Sequence, residues 1–126
     1  MNLDSAIHAV EAATMVGGLA VLTRHVFSEQ IDSLHPRTKR IRVDLEHVAS
    51  GATMSLLPLS SFAYLTNPPH DLMNLIMGFC VSSYLLFCLE WEKYQAKIKG
   101  GLPAQDELLS DLLGTAIGIS VFQYLR

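Results

Sequence analysis

Lysine and arginine are missing from most of this chain. None occurs before Arg24, none between Arg42 and Lys93, and none between Lys99 and the final Arg126. Gaps of that length exclude a continuous basic surface. The net charge is −3, and the basic residues are not interleaved with aromatics, so nucleic acid is not an expected partner. Cysteine is nearly absent as well. Cys80 and Cys88 lie eight residues apart, roughly 12 Å along a helix axis, which is too far for a disulfide. No CxxC spacing offers a redox or metal motif, and both read as small buried hydrophobes. The N-terminus, Met-Asn-Leu-Asp, lacks the positive region of a cleavable signal, so the first segment is expected to stay in the mature protein.

What fills the gaps is apolar. Half of the 126 residues are hydrophobic and 17% are charged, in a chain with room for one domain. The apolar residues fall in four blocks, at about 3–22, 47–65, 71–90 and 106–125. Each approaches the roughly 20 residues needed to cross about 30 Å of hydrocarbon. The first block is interrupted by His8 and Glu11, which share a helix face. If it spans, the two should pair and face the other helices, because a buried carboxyl has to be neutralised or partnered. An interfacial amphipathic helix is the alternative for this block. His35-Pro36 breaks any helix before the second block, and Pro58 inside that block is tolerable in a membrane. Thr66 to His70 reads as a short turn. Asp71 is expected to cap the third block, which ends in the aromatic and charged collar Glu90-Trp91-Glu92-Lys93-Tyr94. Gly100-Gly101-Leu102-Pro103 stops that helix. Gly114 and Gly118, one turn apart in the fourth block, form a small-xxx-small face that lets another backbone approach, in a homo-oligomer for example.

Of the nine Lys and Arg residues, five lie in the connection from Arg24 to Glu46 and three in Lys93 to Lys99. By the positive-inside rule these two basic loops are cytoplasmic. The expected fold is therefore all-α, a four-helix transmembrane bundle in the cell membrane, with N-terminus and C-terminus outside and the lipid bilayer as its partner.

Three polar pairs then fall at one depth. Asp44 and His47 open the second span, Glu92 and Gln95 follow the third, and Glu107 and Asp111 open the fourth. Spacings of three and four place each pair on one helix face, so all three can point into the bundle. The stretches Asp44-Leu-Glu-His47, Glu92-Lys-Tyr-Gln95 and Glu107-Leu-Leu-Ser-Asp111-Leu-Leu-Gly114-Thr-Ala-Ile-Gly118 together resemble the VanZ-like membrane proteins. The resemblance covers about two thirds of the chain, from Asp44 to Leu125. Glu107 and Asp111 stand where that family usually has Asp and Asn, and the Arg common before its last span is missing. The resemblance implies a protein of the cell envelope linked to glycopeptide tolerance, and no particular reaction.

As chemistry, His47, Glu107 and Asp111 are the candidate catalytic groups, with His47 as the general base. Asp44, His47, Glu107 and Asp111 are candidate ligands of a divalent metal. Arg40, Arg42, Glu92 and Gln95 are candidate substrate-binding residues for a lipid-linked or phosphate-bearing molecule, since carboxylates repel phosphate unless an arginine or a cation intervenes. Against this stands a plain structural reading. Asp44 and Glu107 could be helix-entry residues favoured by the macrodipole, and Glu90 and Glu92 solvated interface charges. A holin-like or pore-forming protein, or a small subunit of a larger complex, is the alternative function. Haem is not expected, because His8, His25, His47 and His70 are scattered, with His70 in a turn and His25 near a loop.

Overall fold

The computed structural model describes all 126 residues, in five helices. They are α1 (Leu3–His25), α2 (Ser28–Asp32), α3 (Pro36–Thr66), α4 (His70–Lys99) and α5 (Gln105–Leu125). Four of them, α1, α3, α4 and α5, are long and apolar enough to cross a membrane. The five-residue α2 lies where the sequence reads as loop.

The helix ends follow local chemistry. Asn2 accepts the Ser5 N–H at 2.8 Å and starts α1. His35 is extended, its ring accepts the Arg37 N–H at 3.1 Å, and Pro36 takes the first helical position, where a missing N–H costs nothing. Left-handed residues close the two longest helices, Asn67 at φ 41° and Gly100 at φ 73°. Asp71 does not cap α4. The extended Pro69 precedes the helix, His70 opens it, and Asp71 lies in the first turn, where the macrodipole favours a carboxylate.

With 31 and 30 residues, α3 and α4 are each about 45 Å long, against roughly 30 Å of hydrocarbon. The surplus is the basic sequence. Arg37, Lys39, Arg40 and Arg42 ride on the first turns of α3, and Lys93, Lys97 and Lys99 on the last turns of α4. The two expected basic loops are thus largely helix, projecting beyond the apolar part of the bundle. The opposite end is closed by the termini. The Met1 amino group donates to the Asn67 side chain at 3.4 Å. Arg126 donates to the Asn74 side chain and the His70 carbonyl, both at 3.3 Å. The bundle therefore has a basic head and a tail that gathers both termini and the turn between α3 and α4.

The apolar core sits in the tail half, built from Ala9, Ala13, Leu56, Leu59, Ala63, Met73 and Phe122. On α1 the inward stripe is Ala6, Ala9 and Ala13, so His8 and Glu11 are turned outward. Their side chains are 66% and 63% exposed and meet each other at 3.3 Å. The expected pairing exists, but it does not face the other helices. Of the two cysteines, Cys88 is buried and Cys80 is exposed, so only one is a core residue.

The tightest contact joins α3 to α5. A Cβ on Gly114 would collide with the Val48 carbonyl, one on Gly118 would meet the Ser55 hydroxyl and Ala52 carbonyl, and one on Gly51 the Asp111 carbonyl. The two backbones touch. Buried hydroxyls at the crossing stay satisfied, with Ser55 donating to the Gly51 carbonyl at 2.8 Å and Thr115 to the Asp111 carbonyl at 2.7 Å. The Gly114/Gly118 face is accordingly packed against α3 of the same chain.

Gly114→Ala should therefore lower thermal stability in detergent micelles by an amount on the order of 1–3 kcal/mol, the usual cost of overpacking. Gly78→Ala, with nothing within 4 Å of the added Cβ, should be neutral or gain up to about 1 kcal/mol of helix propensity. Equal melting of the two variants would contradict the close crossing.

Candidate functional site: a histidine held among carboxylates

On α3, Asp44, His47 and Gly51 repeat at spacings of three and four and share a face. On α5, Glu107, Asp111, Gly114 and Gly118 do the same. The glycine contact turns these faces toward each other, and His47 bridges them. Its Nδ1 lies 3.0 Å from Asp111 Oδ1, and its Nε2 lies 3.3 Å from Glu107 Oε2. Asp111 is 4% exposed. From α4, Glu92 enters the same space at 3% exposure. Ligand atoms of His47, Glu92 and Glu107 all lie within 4.8 Å of one another. Four of the expected residues, from three helices, thus converge.

Others go elsewhere. Asp44 lies nearer the head, beside Asp106, whose carboxylate Arg40 holds at 3.0 Å. Its Oδ1 is buried without a hydrogen-bond partner. Asp44 therefore belongs to an outer layer with Arg40 and Asp106, not to the ring of groups around His47. Arg42 is committed on another face of α3. It donates to both Asp32 oxygens at 2.8 and 2.9 Å and to Glu46 at 2.5 Å, with a side chain only 10% exposed. It docks α2 onto α3, so its expected role as a substrate ligand lacks a free guanidinium. Gln95 accepts a bond from Lys99 at 3.5 Å on its own helix. Glu90 pairs with Lys93 at 2.8 Å and is exposed, as an interface charge should be. Glu92, two residues on, is not.

Sequence reasoning passed over three neighbours of the cluster. Asp106 answers Arg40 across the head, and Cys88 and Tyr84 lie near Asp111. A signal existed for the last two, since they precede Glu92 by four and eight residues, on its own helix face.

Asp111 defines what His47 can do. When its carboxylate accepts the Nδ1 proton, the imidazole keeps a lone pair on Nε2, directed to Glu107 and Glu92. That nitrogen can take a proton or coordinate a metal. An apolar groove of about 340 Å3 lies between α1 and α3, lined by Val16, Leu19, Ile41 and Leu45 among others and by no residue of the cluster.

The Arg42 clamp yields a separate expectation. Its guanidinium holds the Asp32 carboxyl below the usual carboxylate range. Docking of α2 should persist at neutral pH and be lost only as acidification passes that lowered pKa. Arg42→Ala should raise hydrogen exchange across Ser28–Asp32 at neutral pH and leave Val48 to Ala63 protected. Unchanged exchange in α2 would show that something other than the ion pair holds it.

No protein-family model, curated protein or solved structure matches this chain, so its function has to be read from the cluster itself.

Proposed function

We propose that this chain is a VanZ-like integral protein of the cell envelope, residing in the cell membrane with both termini outside. In this reading the cluster around His47 faces the cytoplasm and binds, and processes, a lipid-linked or phosphate-bearing molecule. The observation that carries it is His47, held by Asp111 and Glu107 where two helix backbones touch. Helix caps and interface charges do not need burial, whereas ionisable groups drawn into a membrane bundle are costly and tend to be functional. The orientation rests on the sorting of eight basic residues to the head. The holin-like alternative draws on the short length, the glycine and serine content and the Gly114/Gly118 face, and α3 packs on that face.

The chemistry has to overcome repulsion between phosphate and carboxylates. Arg40 is 72% exposed at the mouth of the head and bonded only to Asp106, so it can also meet an incoming phosphate oxygen. His47 Nε2 is the group placed to accept a proton from an attacking water, with Asp111 stabilising the imidazolium that results.

Binding of a long-chain polyprenyl phosphate to the protein in lipid nanodiscs tests this reading. His47→Ala and Glu107→Ala should each abolish binding while insertion and abundance stay near wild type. A periplasmic reporter fused after Arg126 should be active. Undiminished binding in both variants would remove the site, and a reporter active only in the cytoplasm would reverse the orientation.

A further inference from the structure

We propose that His47, Glu92 and Glu107 bind one divalent transition-metal ion, with Asp111 orienting the histidine. The inference rests on the cluster being a ligand site and names the cation that fits it.

Charge provides the first argument. Glu92, Glu107 and Asp111 bring three carboxylates together, and His47 can offset at most one. No lysine or arginine reaches them. Arg42 is bound by Asp32 and Glu46, Arg40 by Asp106 and Lys93 by Glu90. Glu92 is 3% exposed, forms no ion pair with a lysine or arginine, and meets the Glu107 carboxyl instead. A buried carboxylate without a cation is strongly unfavourable, and this one is aimed at two other donors.

Geometry provides the second. Donors around a four-coordinate ion at about 2.0–2.2 Å stand roughly 3.4 Å apart. His47 Nε2 and Glu107 Oε2 already stand 3.3 Å apart, and all three donors lie within 4.8 Å. A shift below about 1 Å per side chain brings them to bonding distance.

Chemistry provides the third. One imidazole with two carboxylates suits Zn2+, Mn2+ or Fe2+, whereas Ca2+ prefers oxygen alone. Asp111 stands where the outer partner of a metal-bound histidine is normally found, accepting the proton of the nitrogen that does not coordinate. Three protein ligands leave a position open for water or a phosphate oxygen, and with the histidine nitrogen on the ion, the ion rather than His47 would activate that water. The ion would thereby supply the counter-charge that the carboxylates deny to a phosphate. It would also tie α4 to α3 and α5 at the head.

The test uses full-length protein in nanodiscs, stripped with chelator and titrated with Mn2+, followed by electron paramagnetic resonance and by thermal melting. Wild type should bind one Mn2+ per chain, show nitrogen coupling from His47, and melt at a higher temperature with the ion. Glu92→Gln and Glu107→Gln should weaken Mn2+ binding by about tenfold or more, and His47→Gln should remove the nitrogen coupling. Glu90→Gln, at an exposed position outside the cluster, should bind as wild type does. Without metal, Glu92→Gln should melt at or above wild type, because an uncompensated charge has gone; a variant that only misfolds would melt lower. Wild-type affinity in both glutamine variants, or no bound Mn2+ at all, overturns the proposal. Polyprenyl phosphate binding by the stripped protein that then takes up no Mn2+ would overturn it while sparing the functional reading. Mn2+ binding without any phosphate ligand would uphold the metal and remove that reading.

Discussion

The close approach of α3 and α5 is the constraint on which the rest of this structure depends. Helices packed through ordinary side chains stand about 8–10 Å apart, and small residues at the crossing bring them nearer. Here Gly51, Gly114 and Gly118 let backbone meet backbone. One turn toward the head, the same faces carry His47 on one helix and Asp111 on the other, and the ring reaches both Asp111 and Glu107. A bilayer supplies no hydrophobic force between helices, so van der Waals contact and satisfied hydroxyls have to hold this crossing. Ser55 and Thr115 fit that requirement because their bonds run to nearby helix carbonyls.

A division of labour follows along the bundle axis. The tail half is apolar and packed around Phe122, Leu59 and Met73. The head half replaces that core with ionisable groups, and α3 and α4 run on past the apolar layer to carry the basic residues. Between these ends α4 presents Leu75, Phe79, Leu86 and Phe87 outward, the face expected toward lipid tails. Its buried residues are Met73 in the tail and Cys88, Glu92 and Ala96 toward the head. Glu92 is therefore one of the few residues through which α4 meets the other helices at the head.

Much of this arrangement is legible in the amino-acid sequence. Four apolar blocks mark the four long helices, His35-Pro36 and Gly100 mark two of their ends, and three- and four-residue spacings bring His47, Glu92, Glu107 and Asp111 together. What escapes has physical reasons. The inward face of α1 is made of alanines, whose modest hydrophobicity is outweighed in a sequence by conspicuous neighbours such as His8 and Glu11. The partner of the Gly114/Gly118 face could have been any helix, in this chain or another, because a small-residue pattern says only that something comes close. Arg42 and Asp32 are ten residues apart across a bend, and Arg40 and Asp106 are 66 apart. Helical periodicity does not reach across a bend or between helices. Glu92 and Glu90 look alike in the collar, and only the direction of α4 makes one buried and the other exposed.

The measurement that bears most directly on this account is the distance between the His47 ring and its carboxylates in a lipid bilayer. Solid-state NMR of nitrogen-labelled histidine with carbon-labelled aspartate and glutamate can read it, with Asp111→Asn and Glu107→Gln assigning the signals. The account predicts short contacts from Nδ1 to the Asp111 carboxyl and from Nε2 to the Glu107 carboxyl, each matching a hydrogen-bonded or metal-bridged separation. A His47 ring with no carboxylate contact, tumbling freely in water, would contradict it and leave only helix caps and interface charges on a small membrane bundle.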